Sequence, residues 1–295
     1  GSALTPEEFD LAGMPLNGGL LGYWPFDGSL IEPVGGHDGI GHGDQPLAYD
    51  TGKFGQGVDL DYALSQYVEA GGPESDFDRT GGSLTLSAWF RVDAFDTSWQ
   101  CLIAKGEGTN YRVARRSDSN AIAYAGGVGE PDASAPDVND GAIHHMVAVT
   151  RASEQTELWI DGTLYEVGLN PNIADDWDTH QPLLIGANPD TDPLRYWNGL
   201  IDDVGVWNRA LSEEEIALLW NNGDGASIGD LIGLVPAPII SITRNEDGTV
   251  TVEWTGGGVL EAAPTVDGPW EVVDGATSPF IVEPTEAMLF GRIKQ

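Results

Sequence analysis

Asp202 is the residue whose position in the sequence most directly implies chemistry. It lies in the run 200–206 (LIDDVGV), whose alternation places it on the same strand face as Leu200, Val204 and Val206. An ionised carboxylate that faces an apolar core costs free energy unless a charge or several hydrogen-bond donors compensate it. We therefore expect the Asp202 carboxylate to have a partner.

Aromatic side chains in predicted loops are the candidates for contact with a sugar ring. A sugar-binding groove needs exposed rings beside Asp or Asn acceptors. The loop candidates are Trp99, Tyr111, Trp177, Tyr196 and Trp197, and Trp177 is favoured because it lies in the acidic run 175–178 (DDWD). The alternative for each ring is a packing role at an edge of the fold.

Two other groups of polar residues do not complete a metal site. His144 and His145 are adjacent, so in a strand they point to opposite faces, and no Cys or spaced carboxylate accompanies them as zinc would require. The run 188–192 (NPDTD) resembles the start of an EF-hand loop. Pro193 stands where that loop needs glycine, and Gly199 where it needs a bidentate glutamate.

Motifs for catalysis are absent from the sequence. A retaining glycosidase needs two carboxylates about 5 Å apart, in a spacing such as Glu-x-Asp-x-x-Glu. Asp59 and Asp61 share a strand face, and Glu157 and Asp161 flank a strand end, but such pairs are expected by chance in so acidic a chain. Neither a Gly-x-Ser-x-Gly motif nor a phosphate-binding glycine loop occurs.

Charge limits the classes of partner. The 295 residues include 47 Asp and Glu but 13 Lys and Arg, which gives a formal net charge of -34. A field of that sign repels phosphate backbones and anionic membranes, so we expect no nucleic-acid partner. No run approaches the roughly 18 apolar residues of a membrane span, which predicts no membrane insertion. The single cysteine, Cys101, is expected to be a buried structural thiol.

The elements that must position these residues are mostly short strands. The chain has 40 Gly, 18 Pro and 10 Trp residues, a composition typical of strands joined by tight turns. Strands are predicted at 66–69, 84–92, 102–105, 111–114, 121–124, 143–150, 157–160, 163–165, 183–187 and 200–207. One helix is predicted over 212–221, because Ser212 and Glu215 form a capping box.

Composition also divides the chain into a tail and two domains. Residues 1–18 are too short and irregular to form a domain, and 19–235 hold the strands and helix above. The run 235–238 (VPAP) predicts a stiff linker, and the boundary is placed there. Residues 236–295 predict a small all-β domain with short strands.

Six segments of the larger domain occur in the order found in a known family. They are 23–28 (YWPFDG), 52–58 (GKFGQGV), 86–90 (LSAWF), 144–150 (HHMVAVT), 158–162 (LWIDG) and 199–212 (GLIDDVGVWNRALS). Together they resemble the laminin-G-like, concanavalin-A-like jelly-roll domains of bacterial surface and secreted proteins. The resemblance implies an all-β fold, a concanavalin-A-like jelly-roll β-sandwich. Residues 236–295, through 260–263 (LEAA) and 268–273 (GPWEVV), resemble a short fibronectin-III-like or immunoglobulin-like module.

The same resemblance implies a structural calcium ion where the first strand meets the last. It places the carboxylate ligands at Asp27 and Asp202. Calcium takes about six to eight oxygen ligands, so backbone carbonyls near Gly28, Gly57 or Val58 and water would complete the shell. The alternative is that Asp27 is a turn residue and that Asp202 is bonded to backbone amides.

The resemblance and the absent catalytic motifs predict a non-catalytic lectin-like or adhesion module of an exported bacterial protein, secreted or at the cell surface. Its expected partner is a glycan or an extracellular protein. The alternatives are a polysaccharide hydrolase or lyase on the same fold, and a structural spacer. The sequence leaves the ligand's identity and the oligomeric state open.

Overall fold

A computed structural model describes residues 16–107, 110–130, 135–174, 181–234, 240–254, 259–266, 268–283 and 290–294. The chain divides into two units, Gly1–Ile232 and Gly233–Gln295. The predicted linker at 235–238 and most of the predicted tail lie outside the described residues. Every strand pair described is antiparallel, in agreement with the predicted all-β class.

The first unit consists mainly of short strands. In chain order its described elements are β1 (Leu20–Trp24), β2 (Gly39–His42), β3 (Ala48–Thr51), β4 (Gln56–Leu60), β5 (Tyr67–Ala70), β6 (Leu84–Arg91), β7 (Cys101–Ala104), β8 (Tyr111–Arg115), β9 (Ile122–Gly126), β10 (Ile143–Arg151), β11 (Gln155–Ile160), β12 (Thr163–Leu169), β13 (Leu184–Ile185), β14 (Gly199–Trp207), α1 (Glu213–Trp220) and α2 (Ile228–Leu231). Short 3-10 helices span Tyr62–Leu64, Glu74–Phe77 and Asn221–Gly223.

These strands form the two layers of a β-sandwich. One sheet has eight strands in the order β12-β11-β10-β6-β14-β4-β3, and β1 pairs with the C-terminal half of β14. The other has six strands in the order β2-β5-β13-β7-β8-β9. The inner faces of both sheets contribute to one apolar core, which is the arrangement of face-to-face sheets.

The alternation in β6 is confirmed. Leu84, Leu86, Ala88 and Phe90 belong to the core, so the intervening side chains, including Trp89, face outward. The alternation therefore fixed the strand's inner face correctly. All the strands predicted in this unit overlap observed strands.

The predicted helix is also confirmed. It is α1, and both bonds of its capping box are present, from Ser212 Oγ to the Glu215 amide and from the Glu215 side chain to the Ser212 amide. It packs on the outer face of the eight-stranded sheet, where the Trp220 ring stacks on Trp89 at 5.7 Å between centroids. No helix in the described parts of the chain is long and apolar enough to cross a membrane.

The predicted orientation of Asp202 is wrong, because β14 contains a bulge. Asp202 lies opposite Trp89 of β6, and the register between the two strands shifts immediately after it. Asp203 adopts a left-handed φ of 50°, which re-aims the following side chain. Ile201 and Val204 therefore both enter the core, whereas Asp202 lies on the outer face beside Trp89.

The second unit has two small antiparallel sheets. Its described strands are β15 (Ile240–Arg244), β16 (Val250–Trp254), β17 (Val259–Ala263), β18 (Glu271–Val272), β19 (Phe280–Val282) and β20 (Phe290–Lys294). They are ordered β15-β16-β19 and β18-β17-β20. Val252, Trp254 and Leu260 form its small core. The fibronectin-III-like or immunoglobulin-like resemblance remains a prediction.

Candidate calcium and ligand-binding sites

The structure brings Asp27 and Asp202 to the same loop. This loop, residues 52–57, leads from β3 into β4. Asp202 Oδ2 accepts a hydrogen bond from the Phe54 amide at 2.9 Å, and Asp27 Oδ1 accepts one from the Gln56 amide at 2.8 Å. Two carboxylates far apart in sequence thus converge, as the resemblance implies, and the bond from the Phe54 amide to Asp202 is the one that the backbone-amide alternative predicts.

Glycines allow the loop to approach both carboxylates. A Cβ on Gly52 would collide with Asp202 Oδ2, and a Cβ on Gly55 would collide with Asp27 Oδ1. Gly55 also has a φ of 55°, which disfavours other residues. Gly52 and Gly55 of the segment GKFGQG are therefore explained by a close approach of backbone to carboxylate, whereas a Cβ on Gly57 would collide with the Ile201 carbonyl.

The Asp202 carboxylate has the properties expected of one ligand to a hard cation. The residue is 0% exposed, and its Oδ1 has no hydrogen-bond partner among the described residues. Burial raises the pKa of Asp202 to about 8. The described residues contain no group of three His, Cys, Asp or Glu placed to hold a metal, so carbonyls and water would have to supply the other ligands.

Asp203 is a structurally important residue that the sequence reasoning missed. Its Oδ1 accepts a hydrogen bond from the Tyr23 hydroxyl at 2.6 Å, and its Oδ2 accepts one from the Ile228 amide at 3.1 Å. Burial raises the pKa of Asp203 to about 7. The carboxyl group ties the first strand and α2 to the last strand of the sandwich. Two consecutive acids in an otherwise apolar strand were the available signal.

Of the five aromatic residues predicted to contact a ligand, two are buried and one lies outside the described residues. Tyr111 and Trp197 are fully buried in the core, where the Tyr111 hydroxyl donates to the Phe77 carbonyl at 2.9 Å. Neither ring offers a face to a ligand, so both predictions are corrected to packing roles. Trp177 lies outside the described residues.

The other two candidates, Trp99 and Tyr196, flank the outer face of the six-stranded sheet. Cross-strand partners define that face, because residues directly opposite one another share it. One such row runs across all six strands as Ile40, Glu69, Leu184, Ala104, Arg112 and Ala125. The Arg112 guanidinium lies 4.8 Å from the centre of the Trp99 ring, and Tyr196 stacks on Tyr67 of β5.

Arg112, whose guanidinium lies over Trp99, belongs to an ion network. Arg112 pairs with Glu107 and, at 2.6 Å, with Glu130. Glu107 also pairs with Arg195 at 3.0 Å. The guanidinium groups are therefore already matched by carboxylates, which supports a structural role for this network.

Tyr196 belongs to a partly exposed aromatic cluster, defined here as His42, Tyr62, Tyr67 and Tyr196. His42 and Tyr67 stack with centroids 4.5 Å apart and planes 7° apart. Tyr196 lies 5.9 Å from Tyr67 and 6.4 Å from Tyr62. His42 Nε2 is 3.0 Å from a carboxylate oxygen of Glu69. The cluster offers ring faces and hydroxyls, with the Glu69 carboxylate beside His42.

An open pocket adjoins this cluster at the edge of the sandwich. The edge pocket has a volume of about 410 Å³ and lies between β2 and β3, the edge strands of the two sheets. His42 lines it and also stacks in the aromatic cluster. The complete lining is Leu30, Gly41, His42, Gly43, Asp44, Gln45, Pro46, Leu47 and Tyr49.

Solved structures with a similar fold include binding domains. Domain 4 of AbnA, a GH43 extracellular arabinanase from Geobacillus stearothermophilus, in complex with arabinotriose, is 18% identical, with 70% of this chain and 98% of that chain covered and a TM-score of 0.52. The binding domain of Paraclostridial Mosquitocidal Protein 1 is 12% identical, with 91% and 71% covered and a TM-score of 0.54. The binding domain of Botulinum neurotoxin DC, in complex with rat synaptotagmin II, is 12% identical, with 89% and 79% covered and a TM-score of 0.52.

These identities show the fold alone, and no curated protein matches the sequence. The family match is independent of them. Residues 63–217, more than half of the 295, match the family described as the concanavalin A-like lectin/glucanases superfamily, Laminin_G_3. The chain belongs to the concanavalin A-like lectin/glucanases superfamily.

Proposed function

We propose that this chain is a non-catalytic glycan-binding module of an exported protein. The observation that carries the proposal is the aromatic cluster, whose partly exposed rings adjoin the edge pocket through His42. Partly exposed aromatic rings beside hydroxyl and carboxylate groups provide the mixed apolar and polar surface that a sugar needs. An adhesion role toward a protein partner is retained as the second candidate.

Similar structures support a binding role by analogy. Domain 4 of the arabinanase AbnA was determined in complex with arabinotriose, and the Botulinum neurotoxin DC binding domain in complex with synaptotagmin II. The first case favours a glycan and the second a protein partner. Function on this fold resides in the individual site, so the analogy carries less weight than the cluster itself.

The calcium ion in this proposal is structural. Asp27 and Asp202 would hold it against loop 52–57, and its positive charge would favour the ionised form of the buried Asp202 carboxyl group. It would tie the first strand to the last. The glycan would bind elsewhere, on the outer face of the six-stranded sheet.

A glycan array with product analysis tests the proposal. The wild-type chain should bind immobilised glycans, and chromatography of the bound oligosaccharides after long incubation should show them intact. Release of shorter products would favour a hydrolase or lyase instead. Absence of binding to every glycan would contradict the proposal and favour an adhesion or spacer role.

A further inference from the structure

We infer that the edge pocket receives the terminal residue of an uncharged glycan and rejects glycans with a carboxylate or sulfate at that end. This inference rests on the proposed glycan-binding function and adds the chemical class of the ligand. It depends on the continuity of the pocket with the aromatic cluster, on the preformed pocket loop and on the charges around both.

The edge pocket and the aromatic cluster meet at His42. His42 is one of the pocket-lining residues, and its ring stacks on Tyr67 in the aromatic cluster. In this proposal, a glycan chain that lies over the cluster reaches the pocket past His42. The pocket volume of about 410 Å³ is near the lower end of the range of about 300–1,000 Å³ typical of small-molecule sites, which suits a terminal residue.

The pocket loop, residues 43–47, is held in place by hydrogen bonds. The Gln66 side-chain amide donates to the carbonyls of Gln45 and Pro46 at 3.2 and 3.1 Å, and its oxygen accepts from the Asp61 amide at 2.9 Å. Gln66 is 2% exposed, so its side chain is shielded from water although the loop residues that it bonds are exposed. A loop that is already ordered loses little entropy when a ligand binds.

The charges around this surface are unfavourable for an anion. Asp44 is the acid among the nine pocket-lining residues, and none of the nine is Lys or Arg. The imidazole of His42 already faces the Glu69 carboxylate at 3.0 Å. Arg195, next to Tyr196 in the chain, pairs with Glu107 at 3.0 Å.

An anionic terminal residue would therefore lie near carboxylates, and no Lys or Arg in the pocket lining would offset the repulsion. Like charges brought together at a binding site reject a ligand even when its shape fits. The net charge of -34 adds a long-range repulsion of the same sign. Uncharged sugars meet neither cost and can still donate hydroxyl hydrogens to the Asp44 carboxylate.

Matched glycan pairs test the inference. An array presents neutral oligosaccharides, each beside an analogue that differs only by a uronic acid as its terminal residue, and the best pair is then measured by calorimetry. We expect the neutral member to bind at least about tenfold more tightly, which corresponds to about 1.4 kcal/mol. The preference should weaken at high salt, because salt screens exposed charges.

Two variants place the discrimination at the pocket. Asp44→Asn should reduce the preference at least about threefold. Asp118→Asn removes the same charge from an exposed turn between β8 and β9 and should leave the preference unchanged. Thermal unfolding of both variants checks that they fold like the wild type.

The outcomes separate this inference from the function it rests on. Equal or tighter binding of the uronic-acid analogues, or equal effects of the two variants, would overturn the inference and leave glycan binding standing. Failure of the wild type to bind any member of the pairs would overturn the proposed function itself.

Discussion

The two sheets of the sandwich each carry a histidine stacked on an aromatic ring on their outer face, but only one of these stacks is covered by a described helix. On the eight-stranded sheet, Trp89 and His145 lie 4.6 Å apart and Trp220 of α1 stacks on both. We call this the covered stack. On the six-stranded sheet, His42 and Tyr67 lie 4.5 Å apart in the partly exposed aromatic cluster.

Burial assigns the two stacks different roles. Trp89 and His145 are each 2% exposed, and Lys53 lies 4.5 Å from the Trp89 ring. The side chain of His42 is 35% exposed. The covered stack thus contributes to stability on the eight-stranded sheet, where α1 lies over it. The stack of His42 on Tyr67 is partly exposed on the six-stranded sheet, where it is accessible to a ligand. The position of the capped helix decides which face can bind.

Truncation of the covered stack should produce the largest loss of stability. Trp89→Ala removes a fully buried ring and should cost about 3–5 kcal/mol of unfolding free energy, measured by denaturant titration. Tyr67→Ala removes a partly exposed ring and should cost about 1 kcal/mol or less. Equal losses of unfolding free energy in the two variants would contradict the different roles assigned to the two stacks.

Removal of calcium should have the next largest effect. An ion held at Asp27 and Asp202 would stabilise the fold by about 2.7 kcal/mol when its concentration is 100 times the dissociation constant. A chelator should therefore lower the thermal midpoint of the wild type and leave that of Asp202→Asn unchanged. An unchanged wild-type midpoint would count against the ion.

Phe54, whose ring packs edge-on against Trp89, belongs to the same loop, so loss of the ion should also loosen the covered stack.

Acidification should lower the contribution of the buried His145 to the free energy of unfolding. Burial lowers the pKa of His145 to about 3, so below the ordinary value near 6.5 the unfolded chain takes up the proton first. This contribution to stability falls as the pH falls, by about 2 kcal/mol between pH 6.5 and 5. Because the raised pKa values of Asp202 and Asp203 act in the opposite direction, the measured quantity is the difference between wild type and His145→Gln.

A constant difference between wild type and His145→Gln across this pH range would show that His145 is protonated as easily in the folded chain as in the unfolded one. Such a result would contradict the burial of the stack. Glutamine keeps a side chain able to reach Ser87 Oγ, which lies 3.0 Å from His145 Nε2, so the comparison changes the titrating group with little loss of bonding.

The sequence predicted the sandwich well because its long inner strands follow simple alternation. Residues such as Leu84, Leu86 and Phe90 repeat with the period of a strand, and Ser212 with Glu215 marks the helix start. The edge strands β2 (GIGH) and β3 (AYDT) were not predicted, since short segments with glycine and polar residues lack that repeat.

The candidate sites were predictable only in part. Asp27 and Asp202 were found through family motifs, but the bulge at Asp203 reversed the expected face of Asp202, because a single residue in the left-handed region shifts the register. The aromatic cluster joins residues from β2, β5, a 3-10 helix and a loop, so no local pattern indicates it. Tyr67 could have been found as the outward neighbour of the buried Val68.

The most direct test of the central claim is calorimetric affinity for the best glycan from the array, compared between Tyr67→Ala and Tyr165→Ala. Tyr165 is 36% exposed on β12 of the other sheet, so its loss is a matched control. We predict at least about a tenfold loss of affinity for Tyr67→Ala, on the scale of a central aromatic contact, and no change for Tyr165→Ala. Unchanged affinity in Tyr67→Ala, with the fold intact, would contradict the placement of the ligand on the aromatic cluster.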